Sequence, residues 1–183
     1  MKQPIERELK ILIAEKDMNF IIKSHDLTNY RIQTNIYYDT EDRKIKQKQG
    51  AVRIRTINDT YIFTLKIRKD SITHFEYEKQ VSTKELSKID DPEVLHWLNM
   101  HEISIADLKP IASFTTKRYE KDLKNAILCA DITNFGNHTD YELEYEYKYE
   151  HDGISYFNQI LSQIHKHYTK NCPSKIARAF NQN

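Results

Sequence analysis

Residues 5–10 read Ile-Glu-Arg-Glu-Leu-Lys, and residues 141–146 read Tyr-Glu-Leu-Glu-Tyr-Glu. Both stretches alternate with a period of two, as in a β-strand whose successive side chains point to opposite faces. One face of each strand is therefore acidic. With 14 Glu in 183 residues, composition alone predicts about one Glu-x-Glu pair, but the chain has four, at 6/8, 76/78, 142/144 and 144/146.

The same alternation also places basic side chains on one strand face. Residues 52–55 read Val-Arg-Ile-Arg and residues 65–68 read Leu-Lys-Ile-Arg. Like charges two positions apart on one face lie about 7 Å from each other and repel unless something compensates them. Neutralising Glu6 or Glu8 is therefore expected to leave the thermal midpoint unchanged or to raise it.

Most of the chain follows this strand pattern, with helical spacing in three places. Asn58-Asp59-Thr60 is typical of a tight turn between two strands. The connections are of hairpin length, which favours a mainly β protein with added helices, either an antiparallel barrel or a strongly curved sheet. The predicted strands are Ile5–Ile13, Thr34–Asp39, Ala51–Ile57, Tyr61–Arg68, His74–Val81, Ile111–Glu120, Ala126–Ile132 and Asp140–Tyr149. The predicted helices are Glu15–Ser24, Asp91–Met100 and Asp152–Tyr168. The second starts with Asp91-Pro92, a favourable pair for the N-cap and the first helical position.

Composition limits the class of protein. The length favours a single domain over residues 1–183, and 12 Tyr, 7 Phe and 1 Trp argue against a disordered chain. A net charge of +1 and the lack of a long apolar segment predict neither nucleic-acid binding nor membrane insertion. Two cysteines, Cys129 and Cys172, predict a cytoplasmic location. Three Gly in all exclude a Gly-rich nucleotide loop, and no His and Cys spacing indicates zinc.

Two interpretations of the charged strand faces remain open on the residues alone. In the first, they form a solvated surface on which acidic strands pair with basic neighbours. In the second, the sheet closes and turns these faces inward around a water-filled bore. Buried charges are costly unless they are paired or bind metals. Such a bore predicts a polyanionic ligand for the Arg and Lys side chains and divalent cations such as Mg²⁺ or Mn²⁺ for the carboxylates.

The ordered motifs resemble the CYTH, or triphosphate tunnel metalloenzyme, superfamily, most closely its YjbK-like branch. Glu6-x-Glu8-x-Lys10 is similar to the ExExK signature of that superfamily, and Arg53-x-Arg55 and Thr64-x-Lys66 are similar to its next basic strands. Six further segments resemble segments of the superfamily, and all nine occur in the order that the superfamily has along its chains. The six are Asn35–Thr40, Phe75–Glu78, Thr116–Tyr119, Cys129–Asp131, Asp140–Glu144 and Pro173–Arg178.

The resemblance implies a closed eight-stranded antiparallel β-barrel with helices packed outside and a triphosphate-containing ligand inside. The leading function is a divalent-metal-dependent triphosphatase that uses Mg²⁺ or Mn²⁺ and acts on inorganic tripolyphosphate. The alternatives are an adenylate cyclase that forms cyclic AMP from ATP, a thiamine triphosphatase, and a non-enzymatic polyphosphate or nucleotide binder. The expected partner is a small-molecule triphosphate, and the expected state is a monomer or homodimer.

The resemblance also assigns candidate residues, since carboxylates suit Mg²⁺ or Mn²⁺ and Arg and Lys suit phosphate. Glu76 and Glu78 are expected to hold the basic residues by ion pairing or to help with a second ion. The candidate metal ligands are Glu6, Glu8, Asp131, Glu142 and Glu144. The candidate phosphate-binding residues are Lys10, Arg53, Arg55, Lys66, Arg118, Lys175 and Arg178. The candidate catalytic residues are Glu6, Glu8, Lys10, Arg55 and Glu144.

Overall fold

A computed structural model describes residues 4–180 of the chain. Its strands are β1 (Ile5–Leu12), β2 (Tyr30–Asp39), β3 (Ala51–Ile57), β4 (Thr60–Arg68), β5 (Thr73–Val81), β6 (Lys109–Asp122), β7 (Ala126–Asn134) and β8 (Thr139–Tyr147). Its helices are α1 (Glu15–Ser24), α2 (Lys44–Gln47), α3 (Pro92–Met100), α4 (Gly153–Ser162) and α5 (Lys175–Phe180). None of these helices is long and apolar enough to span a bilayer.

The eight strands form one closed antiparallel barrel in the order β1-β5-β4-β3-β2-β6-β7-β8, with β8 pairing back to β1. Closure removes the free edges that an open sheet would expose. The predicted closed eight-stranded barrel is confirmed, and the curved open sheet is excluded.

The apolar residues lie on the outside of the barrel, in two separate cores. One core packs α1 and α4 against β1, β7 and β8 around Leu9, Leu128 and Leu143. The other packs α3 and the neighbouring loops against β3 and β4 around Ile54 and Phe63. Because successive strand residues alternate between faces, burying these positions outside turns the charged positions inward.

Local signals fix several boundaries. The turn between β3 and β4 has positive φ at both Asn58 (44°) and Asp59 (63°), the conformation that a two-residue hairpin requires. Helix α3 starts at Pro92, where the Asp91 carboxylate accepts hydrogen bonds from the backbone N–H of Glu93 and Val94. Both features were expected from the sequence.

Other boundaries differ from the sequence prediction. Strand β2 begins at Tyr30, not Thr34, because residues 30–33 pair with β6. Helix α4 ends at Ser162, six residues early, yet Ile164 and Tyr168 remain buried in the same core as the helix. Helices α2 and α5 were not predicted; each has six residues or fewer.

Candidate active site in the barrel interior

Charged side chains from all around the barrel line one interior cavity of about 510 Å³. Eleven of the candidate residues line it: Glu6, Glu8, Lys10, Arg53, Arg55, Lys66, Glu76, Glu78, Arg118, Glu144 and Lys175. The second interpretation of the alternating faces therefore holds, since these charges surround a bore instead of forming a solvated outer surface.

One group of charges lies where β1 meets β4 and β5. Lys66 contacts both Glu6 and Glu8, and Lys10 Nζ lies 2.7 Å from Glu8 Oε1. Burial raises the pKa of Glu6 well above its ordinary value, and the nearby Glu8 and Glu76 add to the shift. Burial would also raise the pKa of Glu8, but Lys10 and Lys66 hold it well below its ordinary value. The two carboxyls of the ExExK motif therefore have opposite electrostatic environments.

A second group joins β3, β4 and β5. Arg53 lies 3.5 Å from both Glu76 and Glu78, and Thr64 donates a 2.8 Å hydrogen bond to Glu78. Arg55 has weaker partners, a 3.2 Å hydrogen bond to Asn35 and a carboxylate at 3.8 Å. Burial, together with Arg53 and Arg118, lowers the pKa of Arg55 to about 10. Arg55 is therefore a poorly compensated cation, which favours a bound anion beside it.

A third group lies on β6, β7, β8 and α5. Arg118 grips Asp131 with two hydrogen bonds of 2.7 and 2.6 Å and also contacts Glu144. Lys175 Nζ lies 2.8 Å from both Asp131 and Glu144 and contacts Glu142 as well. Burial opposes ionisation of Glu144, but Arg118 and Lys175 hold its pKa well below the ordinary value. Asp131 and Glu144 are therefore held in the ionised form by these cations.

The segment before α5 is fixed to β1, and this brings Lys175 into the barrel. The Asn171 side chain accepts a hydrogen bond from Lys10 N (2.8 Å) and donates one to Glu8 O (3.0 Å). The Cys172 backbone N–H donates to Lys10 O at 3.1 Å. Arg178, three residues beyond Lys175, pairs with Asp140 and Glu142 at 2.7 and 2.6 Å and does not line the cavity.

The candidate metal ligands fall into two separate groups. Asp131, Glu142 and Glu144 offer oxygens within 4.8 Å of one another, and Glu6 and Glu8 do so with His74. The two motifs lie on neighbouring strands, with Lys10 paired to Glu144 and Glu8 to Glu146, instead of facing each other across the bore. Clustered carboxylate oxygens are the donors that Mg²⁺ and Mn²⁺ prefer, so the residues fit such an ion.

Several interior residues were not singled out from the sequence. Tyr37, His74 and Glu120 line the cavity, and Arg31 pairs with Glu120 near one end of it. Burial, with Lys66 nearby, lowers the pKa of His74 to about 4. Cys129 is buried, and its thiol lies 3.6 Å from Glu146 on the interior side. Strand parity was the signal for His74, Glu120 and Cys129, since each shares its strand face with a candidate residue. Strand β2 carries no candidate residue, so parity gave no such signal for Tyr37 and Arg31.

A second cavity, of about 760 Å³, adjoins the first and shares Lys10, Tyr37 and His74 with it. Its wall combines apolar side chains, among them Ile45, Ile111 and Phe180, with the basic residues Arg43, Lys46, Arg68 and Lys170. Within residues 4–180 these four cations have no carboxylate within 4.0 Å. The bore thus opens into a partly apolar, positively charged mouth.

Comparison with known proteins agrees with this geometry. Over its full length the chain is 32% identical to "Putative triphosphatase YjbK" of Bacillus subtilis (strain 168), covering 97% of that protein. It superposes on a Bacillus halodurans protein described as a putative adenylate cyclase with a TM-score of 0.87 and 28% identity, covering 99% and 100% of the two chains. It shares its fold with HpAC1 from Hippeastrum, with a TM-score of 0.71, 19% identity, and 94% and 93% coverage. The CYTH domain model matches residues 4–180, and the chain therefore belongs to the CYTH domain family.

Proposed function

We propose that the protein is a divalent-metal-dependent hydrolase of triphosphate compounds, with inorganic tripolyphosphate as its leading substrate. The observation that carries the proposal is the barrel cavity in which carboxylates stand beside Lys10, Arg53, Arg55, Lys66 and Arg118. Buried charges of both signs at this density suit a ligand that is itself a polyanion bridged by cations. The name of the B. subtilis relative agrees with the reaction class.

The proposed roles follow from charge and position. Asp131, Glu142 and Glu144 would hold one ion, while Glu6 and Glu8 would hold or orient a second. An ion bound there would polarise a phosphoryl oxygen and lower the pKa of a bound water. Arg55, a poorly compensated cation of the barrel interior, would bind a phosphate oxygen in the ground state and neutralise charge as the transferred phosphoryl group separates.

The remaining basic residues would grip the rest of the chain of phosphates. Lys10 and Lys66 both contact Glu8, and Arg53 lies on β3 beside β4, so these three side chains would contact the phosphates from one part of the bore. Glu76 and Glu78 pair with Arg53 and would fix its orientation. Arg178 pairs with Asp140 and Glu142 outside the cavity lining, so we assign it to holding Glu142 in place.

The second cavity supports a different candidate, a lyase that forms cyclic AMP from ATP. Its apolar wall, including Ile111 and Phe180, would give an adenosine group a place beside the bore. The B. halodurans relative is described as a "putative adenylate cyclase", and HpAC1 as a "putative adenylyl cyclase" with a dominant triphosphatase activity. A thiamine group is less suited to this mouth, because it is cationic and would meet four uncompensated basic residues.

One experiment separates these functions. The purified protein is incubated with tripolyphosphate, ATP or thiamine triphosphate in Mg²⁺ or Mn²⁺, and orthophosphate and cyclic AMP are both measured. We expect orthophosphate from tripolyphosphate, activity that EDTA abolishes, and no cyclic AMP. Cyclic AMP from ATP would establish the cyclase instead. Saturable binding without turnover of any of the three compounds would establish a non-enzymatic binder.

We further propose that residues 1–183 act as one domain in the cytoplasm, as a monomer or homodimer. The two cysteines support the location because Cys129 and Cys172 are both free thiols, as a reducing compartment maintains. Sedimentation of the purified protein measures its oligomeric state.

A further inference from the structure

The ammonium group of Lys175 occupies the centre of the candidate metal cluster. Its Nζ lies 2.8 Å from Asp131 Oδ2 and 2.8 Å from Glu144 Oε1, and it contacts Glu142 Oε1. These are the three carboxylates whose oxygens lie close enough together to share one ion. A monovalent cation supplied by the chain itself therefore sits where a divalent ion would bind.

Lys175 also lies between the two deeper carboxylates of this cluster and the ligand cavity. Asp131 and Glu142 are 0% and 1% exposed and do not line the cavity, whereas Lys175 and Glu144 do. An ion that reached all three carboxylates would have to replace the ammonium group. Two cations cannot share the same oxygens without strong repulsion, which a poorly solvated interior screens weakly.

The surrounding structure allows the ammonium group to move while its backbone stays in place. Asn171 and Cys172 fix the preceding segment to β1, and Arg178 fixes the following turn to Asp140 and Glu142. The Lys175 side chain is long and flexible, and it faces the cavity in which we place the phosphates. A phosphate oxygen there offers the ammonium group a new acceptor, and the carboxylates then keep, among the described residues 4–180, only Arg118 and Arg178 as cationic partners.

We propose that Lys175 is a positioning residue that neutralises the Asp131, Glu142 and Glu144 cluster until phosphate draws it away. The inference rests on the proposed metal-dependent function and adds that binding of the ion depends on binding of the polyphosphate. A divalent ion alone binds weakly, and the ion and the polyphosphate strengthen each other's binding beyond their direct contact. By linkage the coupling is reciprocal, so phosphate affinity also rises with the ion present.

The test measures Mn²⁺ binding directly, by the electron paramagnetic resonance signal of free Mn²⁺. Wild type is compared with Lys175→Gln, which removes the charge, and with Lys166→Gln, the same change at an exposed position outside the barrel. Without phosphate, we expect Lys175→Gln to bind Mn²⁺ at least tenfold more tightly than wild type. Lys166→Gln should agree with wild type within twofold. Equal affinity of wild type and Lys175→Gln would overturn the proposal.

A second arm uses a non-hydrolysable imido analogue of tripolyphosphate. The analogue should strengthen Mn²⁺ binding by a factor that is at least tenfold larger for wild type than for Lys175→Gln. Each factor is corrected for the complex that Mn²⁺ and the analogue form in solution. Equal factors would overturn the proposal. Circular dichroism checks the fold first, and Lys175→Met, which keeps an unbranched chain of similar length, replaces the Gln variant if that is unfolded. Hydrolysis of tripolyphosphate by wild type with Mn²⁺ is measured separately, so the proposed function can hold while this inference fails.

Discussion

Arg55→Met is expected to stabilise the ligand-free protein and to weaken its response to polyphosphate. Arg55 is 9% exposed, and burial beside Arg53 and Arg118 lowers its pKa to about 10. This change disfavours the charged form in the folded protein by about 3 kcal/mol. Because a base with a lowered pKa is charged in both the folded and the unfolded state at pH 7, the cost is present there and disappears only as the pH rises above about 10.

The substitution also removes favourable contacts. The 3.2 Å hydrogen bond to Asn35 contributes about 1 kcal/mol, so the net gain is at most about 2 kcal/mol. For a chain of this length, 1 kcal/mol shifts the thermal midpoint by about 2–4 °C. The ligand-free midpoint of Arg55→Met should therefore equal that of wild type or exceed it by up to about 8 °C.

The imido analogue of tripolyphosphate with Mg²⁺ should raise the wild-type midpoint, because a ligand that binds only the folded state stabilises it. Loss of a charged hydrogen bond costs about 1.5–3 kcal/mol, so the rise in Arg55→Met should be smaller by about 3–12 °C. Differential scanning fluorimetry measures both effects. Arg7→Met, on the outer side of β1 where Arg7 contacts Glu150, is the matched control and should keep the full ligand-induced rise. Equal rises in wild type and Arg55→Met would refute the assignment of Arg55 to phosphate.

Three further changes test other parts of the site. Glu6→Gln should keep or raise the thermal midpoint, because the pKa of Glu6 is raised, whereas Glu8→Gln should lower the midpoint by leaving Lys10 without its carboxylate partner. Both variants should hydrolyse substrate orders of magnitude more slowly, and equal midpoints of the two variants would contradict the environments assigned to Glu6 and Glu8. Acid should unfold the protein between about pH 4 and pH 2. Glu8, Asp131 and Glu144 have lowered pKa values in the folded protein, so they stabilise it above their unfolded pKa values near 4, and this stabilisation is lost as the pH falls. A thermal midpoint that stays constant down to pH 2 would argue against these ion pairs. Gly50→Ala should cost about 1–3 kcal/mol in chemical denaturation, because its Cβ would lie 2.5 Å from the Lys66 carbonyl oxygen, and an unchanged stability would show that the β3 entry can shift.

The structure gives an expectation for Glu8→Gln that differs from the one based on the sequence. Alternation correctly places Glu6 and Glu8 on one face, and repulsion between them is what an isolated strand would show. The neighbouring strands change the outcome, because Lys66 of β4 contacts both carboxylates and Lys10 adds a second partner for Glu8 alone. Which of the two carboxylates is destabilised in its charged form therefore depends on the side chains of the neighbouring strands.

The sequence by itself determined which side chains share one face of each strand. A period of two is a local property of the chain, so the charged face that carries Glu6, Arg53, Lys66 or Glu144 could be separated from the apolar face of its own strand. Whether those charged faces pointed into a bore or to solvent was decided by closure of the barrel. The asparagine turn and the capped start of α3 are local as well, and both were predicted correctly. The resemblance to the family added the expectation that these strands close into a barrel with the charged faces inside.

Only the tertiary structure decided which charges meet. Lys175 is 33 residues from Glu142 in sequence, and their contact exists because Asn171 fixes the C-terminal segment to β1. Closure of the barrel made β1 and β8 neighbours and divided the five candidate metal ligands into two groups. The adjoining cavity is likewise built from β2, α2 and α5, which are distant in sequence. Alternation specifies the face of a residue but not its partner on another strand, because pairing depends on how distant segments close on one another.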